Sequence, residues 1–477
     1  MLERTESEAQ AIEPVHPPEP VAPSETRWAR ARRWARLHGV FLLLLLAGVV
    51  LRALAMFAYV PSLPLRSGDA YQYLSRAVSM SVEQSYHPFL YSVLLKPFTF
   101  GSLAWLAAVQ HLAGIATGIL IYLALTRFGL SRWLAALGAA PILLDGYQIA
   151  LEHQPLTEPF FELLGVAGLV LAAWSTQPRL ATVSAGGFLL GLSVLIRFAG
   201  FALLPAAVVF LLTRRVGWTR LAALVASFLI PLLGYAVWFQ TQTGTFGLTN
   251  RNGFYLYGRV ADFASCRDVE VPARERVFCP ENLKHKPGRG LFNAGLPASI
   301  RQDPTYNHLA ESFARRMIVA KPGSFTLAVV SDMGKFFLPA PSEESDRWLV
   351  ARDLTARDQR RVPNGIEAHF RLRPRPAAAL RAWQQVVWLH GPLLAVLLLL
   401  GLAGAIVGWS RTRRRYGPES LLFTAAAFGL LLFPTIFAVY HFRYYVPAIP
   451  FAGAAGAIGA ATLLEWRRGR QHRRQAG

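Results

Sequence analysis

The residues best suited to chemistry gather in residues 66–96, RSGDAYQYLSRAVSMSVEQSYHPFLYSVLLK, which carry Asp69, Tyr73, Arg76, His87 and Lys96. A carboxylate can take a proton, and nearby cations can hold an anion. Similar groups recur further on: Glu152, His153 and Glu158 in LEHQPLTEP, Arg197 after an apolar run, and Arg443 with Tyr444 in YHFRYY. Arg52 lies inside an apolar run, where a charge is costly unless it faces protein or water. Each has a plain structural alternative: Asp69 as a helix cap, the histidines as turn or packing residues, Arg443 as a headgroup anchor between tyrosines.

The elements that must position these residues are membrane helices. The chain has 477 residues, 53% hydrophobic and 16% charged, where a soluble protein carries about 25% charged residues. Apolar runs near 20 residues recur between arginines, the pattern of a polytopic, all-α membrane protein. The net charge of +21 does not point to nucleic acid. Loops on one side hold 20 Lys and Arg residues and the opposite short loops hold five. The positive-inside rule then places both termini in the cytoplasm, as expected of a protein of the plasma (inner) membrane.

Five regions follow. Residues 1–38 read as a disordered basic tail, rich in Pro and Glu before a basic-aromatic collar. Residues 39–240 read as a transmembrane module of seven spans, with a first outer loop at 61–102. Residues 241–383 form an extracytoplasmic α or α+β segment, 384–464 hold three further spans, and 465–477 form a basic cytoplasmic tail. About 10 transmembrane helices result. In the first outer loop, Gly68 frees the backbone and Asp69 is placed to cap the amides of Tyr71 and Gln72. Ala70, Tyr73, Leu74, Ala77, Val78 and Ser81 then give one apolar stripe of a surface helix, with Asp69, Tyr73 and Arg76 on one side. Cys266 and Cys279 are the only cysteines; outside the cytoplasm they read as a disulfide, the alternative being two reduced thiols. A basic patch, Lys284, His285, Lys286 and Arg289, follows. A helix is expected near 304–321 and an interfacial one over 325–338.

No phosphate-cradling Gly-rich loop, GxSxG, HExxH or CxxC motif occurs. An enzyme working outside the cytoplasm without nucleotide needs a substrate activated beforehand, and a lipid-linked donor fits that need. The motifs GDAYQYL and HPFLYSVLLKPF, PLTEPFFELL, VLIRFAGFALLP and HFRYYVPAIPF resemble those of GT-C-type membrane glycosyltransferases, a group that includes the protein O-mannosyltransferases and the aminoarabinose transferases. The resemblance implies a polyprenyl-phosphate sugar donor and transfer at the extracytoplasmic face to a protein, glycan or lipid acceptor. Asp69 matches the group's first-loop acid, a base or metal ligand, and Glu158 its second acidic position. Where many relatives have an adjacent acidic pair, this chain has Gly68-Asp69, so no cofactor is fixed and a divalent cation stays open. The expected site is therefore Asp69 and Glu158 as catalytic acids. Arg52, Tyr73, Arg76, His87, Lys96, Glu152, His153, Arg197, Arg443 and Tyr444 are expected to contact substrate. A secondary transporter and a non-enzymatic envelope scaffold are the competing readings; a transporter would favour inverted repeats and midplane charges.

Overall fold

The computed structural model describes residues 26–475, apart from Ser67, 83–85, 283–295, 298, 301–302, 304, 341–352, 361, 367 and 411–415. The proline-rich tail, the Lys284–Arg289 patch and the RTRRR turn lie outside the described residues. Met1–Gly39 and Val40–Gly477 are separate units. In the first, only the start of α1 (Arg27–Ala58) is described, with Trp34 stacked on His38.

The second unit is helical throughout, and among the described residues its only strands are β1 (Tyr59–Val60) and β2 (Arg371–Leu372), which pair antiparallel. After α1 come α2 (Gly68–Ser79), α3 (Leu90–Leu95), α4 (Leu103–Arg127), α5 (Arg132–Leu144), α6 (Gly146–Glu152), α7 (Glu158–Ala173), α8 (Leu180–Ile196), α9 (Leu203–Thr213) and α10 (Trp218–Thr243). The 241–383 segment contributes α11 (Asn252–Val260), α12 (Tyr306–Ala320), α13 (Pro322–Lys335), α14 (Ala356–Arg360) and the start of α15 (Pro374–Val386). The chain closes with α16 (Gly391–Ser410), α17 (Gly417–Phe437) and α18 (Ile449–Gln475).

This is a multi-pass membrane protein. Among the described residues, six helices are long and apolar enough to cross a bilayer, or seven if the bent pair α5–α6 counts as one span. The 53° bend in that pair has a visible cause. Asp145 caps α6, one oxygen accepting the amides of Tyr147 (2.8 Å) and Gln148 (3.0 Å), while the other accepts the amide of Leu389 (2.7 Å). The remaining runs expected to span give shorter helices: α7 has 16 residues, α8 has 17 and α9 has 11. A bilayer core asks for about 20 residues. The short helices α7 and α8 are those whose ends carry Glu158 and Arg197.

α2 forms as its stripe predicts, burying Ala70, Tyr73, Leu74 and Ala77. The expected cap does not form. Asp69 is the second residue of the helix, and its carboxylate serves other partners, described below. In the 241–383 segment, Phe254, Tyr257, Val260, Phe278, Phe313 and Met317 make a compact apolar core. Cys266 and Cys279, 13 residues apart, form the expected disulfide at its edge, a closure that contributes about 3 kcal/mol in the chain-entropy model. Helices α11 and α12 touch so closely that a Cβ on Gly253 would lie 1.8 Å from the Asn307 carbonyl oxygen.

The loop entering α2 is tied down by Arg66, which forks onto both oxygens of Asp358 at 2.8 and 2.7 Å. The hydrogen bond from Arg66 outweighs burial and pulls Asp358 down to about 2. A carboxyl depressed in the fold stabilises above its unfolded pKa and loses that contribution as pH falls through the folded one. The difference in thermal midpoint between the parent protein and Arg66→Gln in detergent should therefore be constant above about pH 5. It should shrink toward zero as the pH falls to about 2.

Candidate functional site

A cavity of about 440 Å³ opens where α2, α11, α12, the end of α17 and the turn before α18 converge. Its polar end is formed by Asp69, Tyr73, His87, Arg197, Arg443 and Tyr444, and its apolar wall by rings and aliphatic groups including Phe198, Phe201, Phe433 and Phe437. The local sequence explains each placement. Arg197 sits at the extended break between α8 and the 3₁₀ turn at Phe198–Ala202. Arg443 lies in the 3₁₀ turn Phe442–Ala448, begun by His441, whose ring nitrogen accepts the Arg443 amide.

The electrostatics centre on Arg443. Its guanidinium donates to Asp69 and also lies 3.1 Å from Glu158 Oε1. Arg197 donates to the same Glu158 oxygen at 2.8 Å and stacks over the Tyr444 ring at 5.1 Å. His87 Nε2 faces the other Asp69 oxygen at 3.7 Å. Burial alone would raise the Asp69 pKa, but the charges and hydrogen bonds of Arg443 and His87 hold it well below the usual carboxylate range. Glu158 is fully buried and does not line the cavity. It therefore acts on the site through the two arginines.

Of the residues expected from sequence, Asp69, Tyr73, His87, Arg197, Arg443 and Tyr444 line one cavity, with Glu158 directly behind them. The others go elsewhere. Lys96 donates to the Val78 carbonyl (2.9 Å) and lies over Phe100, bracing α2 against the turn that follows α3. Arg76 does not line the cavity either. Arg52, Glu152 and His153 form a separate buried network that is already saturated. Arg52 forks onto Glu152 at 2.7 and 2.6 Å and donates to the Leu143 carbonyl. His111 bridges Glu152 (2.8 Å) to His153 (2.9 Å), and His153 contacts the Tyr59 carbonyl. Gln148 donates to Glu152 and to Glu162. With their polar atoms engaged on protein, these three residues are structural in placement, binding α1, α4, α6 and α7 together. The charge that looked costly in α1 is thus compensated inside protein.

Sequence reasoning missed Asn252, Tyr255, Glu311 and Arg315, which line the cavity from α11 and α12. Tyr255 donates to the Tyr86 carbonyl (2.9 Å) and lies 3.3 Å from His87 Nδ1. The available signal was the aromatic-rich run NGFYLYGRV, which fits an amphipathic helix.

The donor set does not fit a divalent cation as it stands. Asp69 is shared by Arg443 and His87, and Glu158 is taken by two arginines. Among the described residues, the one cluster of metal-type ligands is Cys266, Cys279 and Glu281, whose sulfurs are in the disulfide. The balance of two carboxylates against two arginines instead leaves room for an incoming anion to recruit the cations.

Removing one partner of the closed network should be expensive. Arg52→Ala leaves Glu152 without its guanidinium and is expected to destabilise by about 3–5 kcal/mol. Arg52→Met combined with Glu152→Gln should recover much of that loss, as read by thermal unfolding in detergent.

No protein-family model matches the chain, and no curated protein matches it by sequence. Similar solved structures include the Archaeoglobus fulgidus oligosaccharyltransferase in complex with Zn and sulfate, at 15% identity and TM-score 0.42 over 88% of this chain and 48% of that one. They also include ArnT from Cupriavidus metallidurans, bound to undecaprenyl phosphate (15% identity) and in the apo state (14%), both at TM-score 0.35 over 91% of this chain and 78% of that one. The chain thus spans about half the length of the oligosaccharyltransferase. At these scores the likeness carries no argument about the chain's chemistry, which rests on the cavity itself.

Proposed function

We propose that the chain is a membrane glycosyltransferase that moves a sugar from a polyprenyl-phosphate donor to an acceptor hydroxyl, with Asp69 as the base. The observation that carries this reading is the make-up of the cavity: an aromatic and aliphatic wall beside Asp69, Arg197 and Arg443, with Arg315, already paired to Glu311, on the same lining. Such a pocket suits an amphipathic anion, an isoprenoid tail ending in a phosphate. Phe201 and Phe437, exposed on the same lining, offer an apolar path for such a tail. The motif resemblance and the arginine-poor loops that carry Asp69, Arg197 and Arg443 support a reaction at the extracytoplasmic face.

The chemistry follows from the charges. The donor phosphate draws Arg443 and Arg197 onto its oxygens, while Glu158 behind them keeps both guanidiniums oriented. Once Arg443 is shared with phosphate, Asp69 loses its strongest cation and becomes a better base. Asp69 then takes the proton of the acceptor hydroxyl as that oxygen attacks the anomeric carbon. The bond from that carbon to the phosphate oxygen breaks, and polyprenyl phosphate leaves as an anion held by the arginines. One in-line displacement inverts the anomeric centre. The same assay, run with protein, glycan and lipid acceptors and with hexose- and pentose-linked donors, reads both specificities.

The test is release of polyprenyl phosphate by purified protein supplied with lipid-linked sugars. Asp69→Asn should lower turnover by about 100- to 10,000-fold with the helical fold retained and the unfolding midpoint lowered, because Arg443 loses a charge partner. Near-normal turnover in that variant would remove Asp69 from the mechanism. Solute flux in proteoliposomes without lipid-phosphate release would instead favour transport.

The pH profile gives an independent check. With Arg443 in place, the Asp69 carboxyl sits well below the usual range, so the acid limb of kcat/KM should lie below the ordinary carboxylate range. Arg443→Gln removes that cation. The pKa should rise, and the acid limb of the residual activity should move to higher pH.

A further inference from the structure

The two groups that hold the Asp69 carboxylate, His87 and Arg443, come from loops more than 350 residues apart in sequence. Helix α11 reaches both loops. From one end, Tyr255 donates to the Tyr86 carbonyl and lies 3.3 Å from His87 Nδ1. One turn later Arg259, fully buried, pairs with Asp332 of α13 at 2.5 Å and approaches the Ala438 carbonyl at 3.4 Å. The same Asp332 oxygen accepts the Tyr440 amide at 3.1 Å, and Lys335 occupies its other oxygen. The Phe336 ring meets Tyr440 edge-on at 4.8 Å, and the Lys335 ammonium lies 5.4 Å from the centre of the Tyr440 ring. Tyr440 is three residues before Arg443, with the His441 cap between them.

The helix itself is well anchored. Its apolar side enters the core of Tyr257, Phe278 and Phe313, and the Gly253 amide donates to Asn307 Oδ1 at 2.8 Å. That core is closed by the disulfide. A charged pair is costly to bury, and this one is held by partners from three segments, with only Arg259 Nε of the pair left unpaired among the described residues. Replacing it with apolar groups would keep the packing but lose the carboxylate acceptor for the Tyr440 backbone amide. Its geometric product is a fixed 438–443 turn.

We propose that Arg259 and Asp332 are positioning residues. They use the 241–383 segment as a strut that sets Arg443 against Asp69 and Glu158, and so tune the site's hold on an anionic lipid phosphate. The phosphate ligand rests on the function proposed above, but the strut does not, and two measurements separate them. The first is hydrogen exchange of the full chain in detergent. Asp332→Ala should raise exchange at least about tenfold at 438–445 while leaving the α4 and α18 amides protected. Unchanged exchange there would overturn the strut whether or not the protein binds any lipid.

The second measurement is binding of undecaprenyl phosphate, the probe for the anion. Asp332→Ala should weaken it about tenfold in the parent background but less than twofold in an Arg443→Ala background, because the effect passes through Arg443. Equal losses in both backgrounds would make the pair merely structural and overturn the proposal. If the parent chain does not bind the probe at all, the proposed donor fails, and the exchange result alone decides the strut. Should Asp332→Ala fail to fold, Asp332→Asn keeps an oxygen for the Tyr440 amide and loses only the charge. It should give intermediate exchange and binding, and parent-like values for both would overturn the proposal.

Discussion

The arrangement depends on one guanidinium serving two carboxylates. Arg443 touches Asp69 and Glu158 together, and Arg197 completes the balance on Glu158. None of these charges could be buried alone, since desolvating an ion costs several kcal/mol unless partners restore what water supplied. Each therefore dictates where the others' helices must end. α7 starts at Glu158, α8 stops before Arg197, and a 3₁₀ turn delays α18 until Arg443 and Tyr444 have faced inward. The start of α7 and the end of α8 thus meet at the charges that border the cavity.

The same physics has been used twice in this bundle, with opposite results. Around Arg52, every strong donor and acceptor of Glu152, His111 and His153 finds a protein partner within a normal hydrogen-bond length. Gly114 lets the helices close over it, for a Cβ there would meet Glu152 at 1.9 Å. That network is closed around Glu152, with only Gln148 Oε1 and Glu162 Oε1 left unpaired at its edge, and the small pocket beside His153 holds only about 10 Å³. Around Arg443, the charges balance but border a 440 Å³ void. A closed network holds helices together, whereas an open one can exchange a partner for a ligand.

That difference was not legible in the sequence. Arg52, Glu152 and His153 have the residue types and rim-like positions of a site, just as Asp69, Arg197 and Arg443 do. What separates them is the company of His111, Gln148 and Glu162, which sit within apolar helices and give no local signal. The helical bundle and the stripe of α2 were readable because hydropathy and a 3.6-residue period are local properties. The capping role for Asp69 was wrong for the complementary reason. Local geometry offered the amides of Tyr71 and Gln72, but a buried guanidinium from residue 443 is the stronger partner. The contribution of α11 and α12 was hidden in the same way, since a helix such as NGFYLYGRV reveals an apolar face but not what its tyrosine and arginine will reach.

The shape of the cavity narrows what an incoming anion can be. A small inorganic anion would satisfy the two arginines and leave the aromatic wall bare, and such a wall is costly to keep open to water. A wholly apolar guest would fill the wall and leave Asp69, Arg197 and Arg443 with nothing in exchange for their lost hydration. A ligand charged at one end and greasy at the other satisfies both ends at once. A volume of 440 Å³ is too small to enclose a long isoprenoid. The tail of such a ligand would run out of the cavity, and Phe201 and Phe437 on its lining, 37% and 49% exposed, suit that path. In a membrane, those rings meet lipid instead of water. The exposure that would be a liability in a soluble protein is what the proposed donor would need to enter from the bilayer.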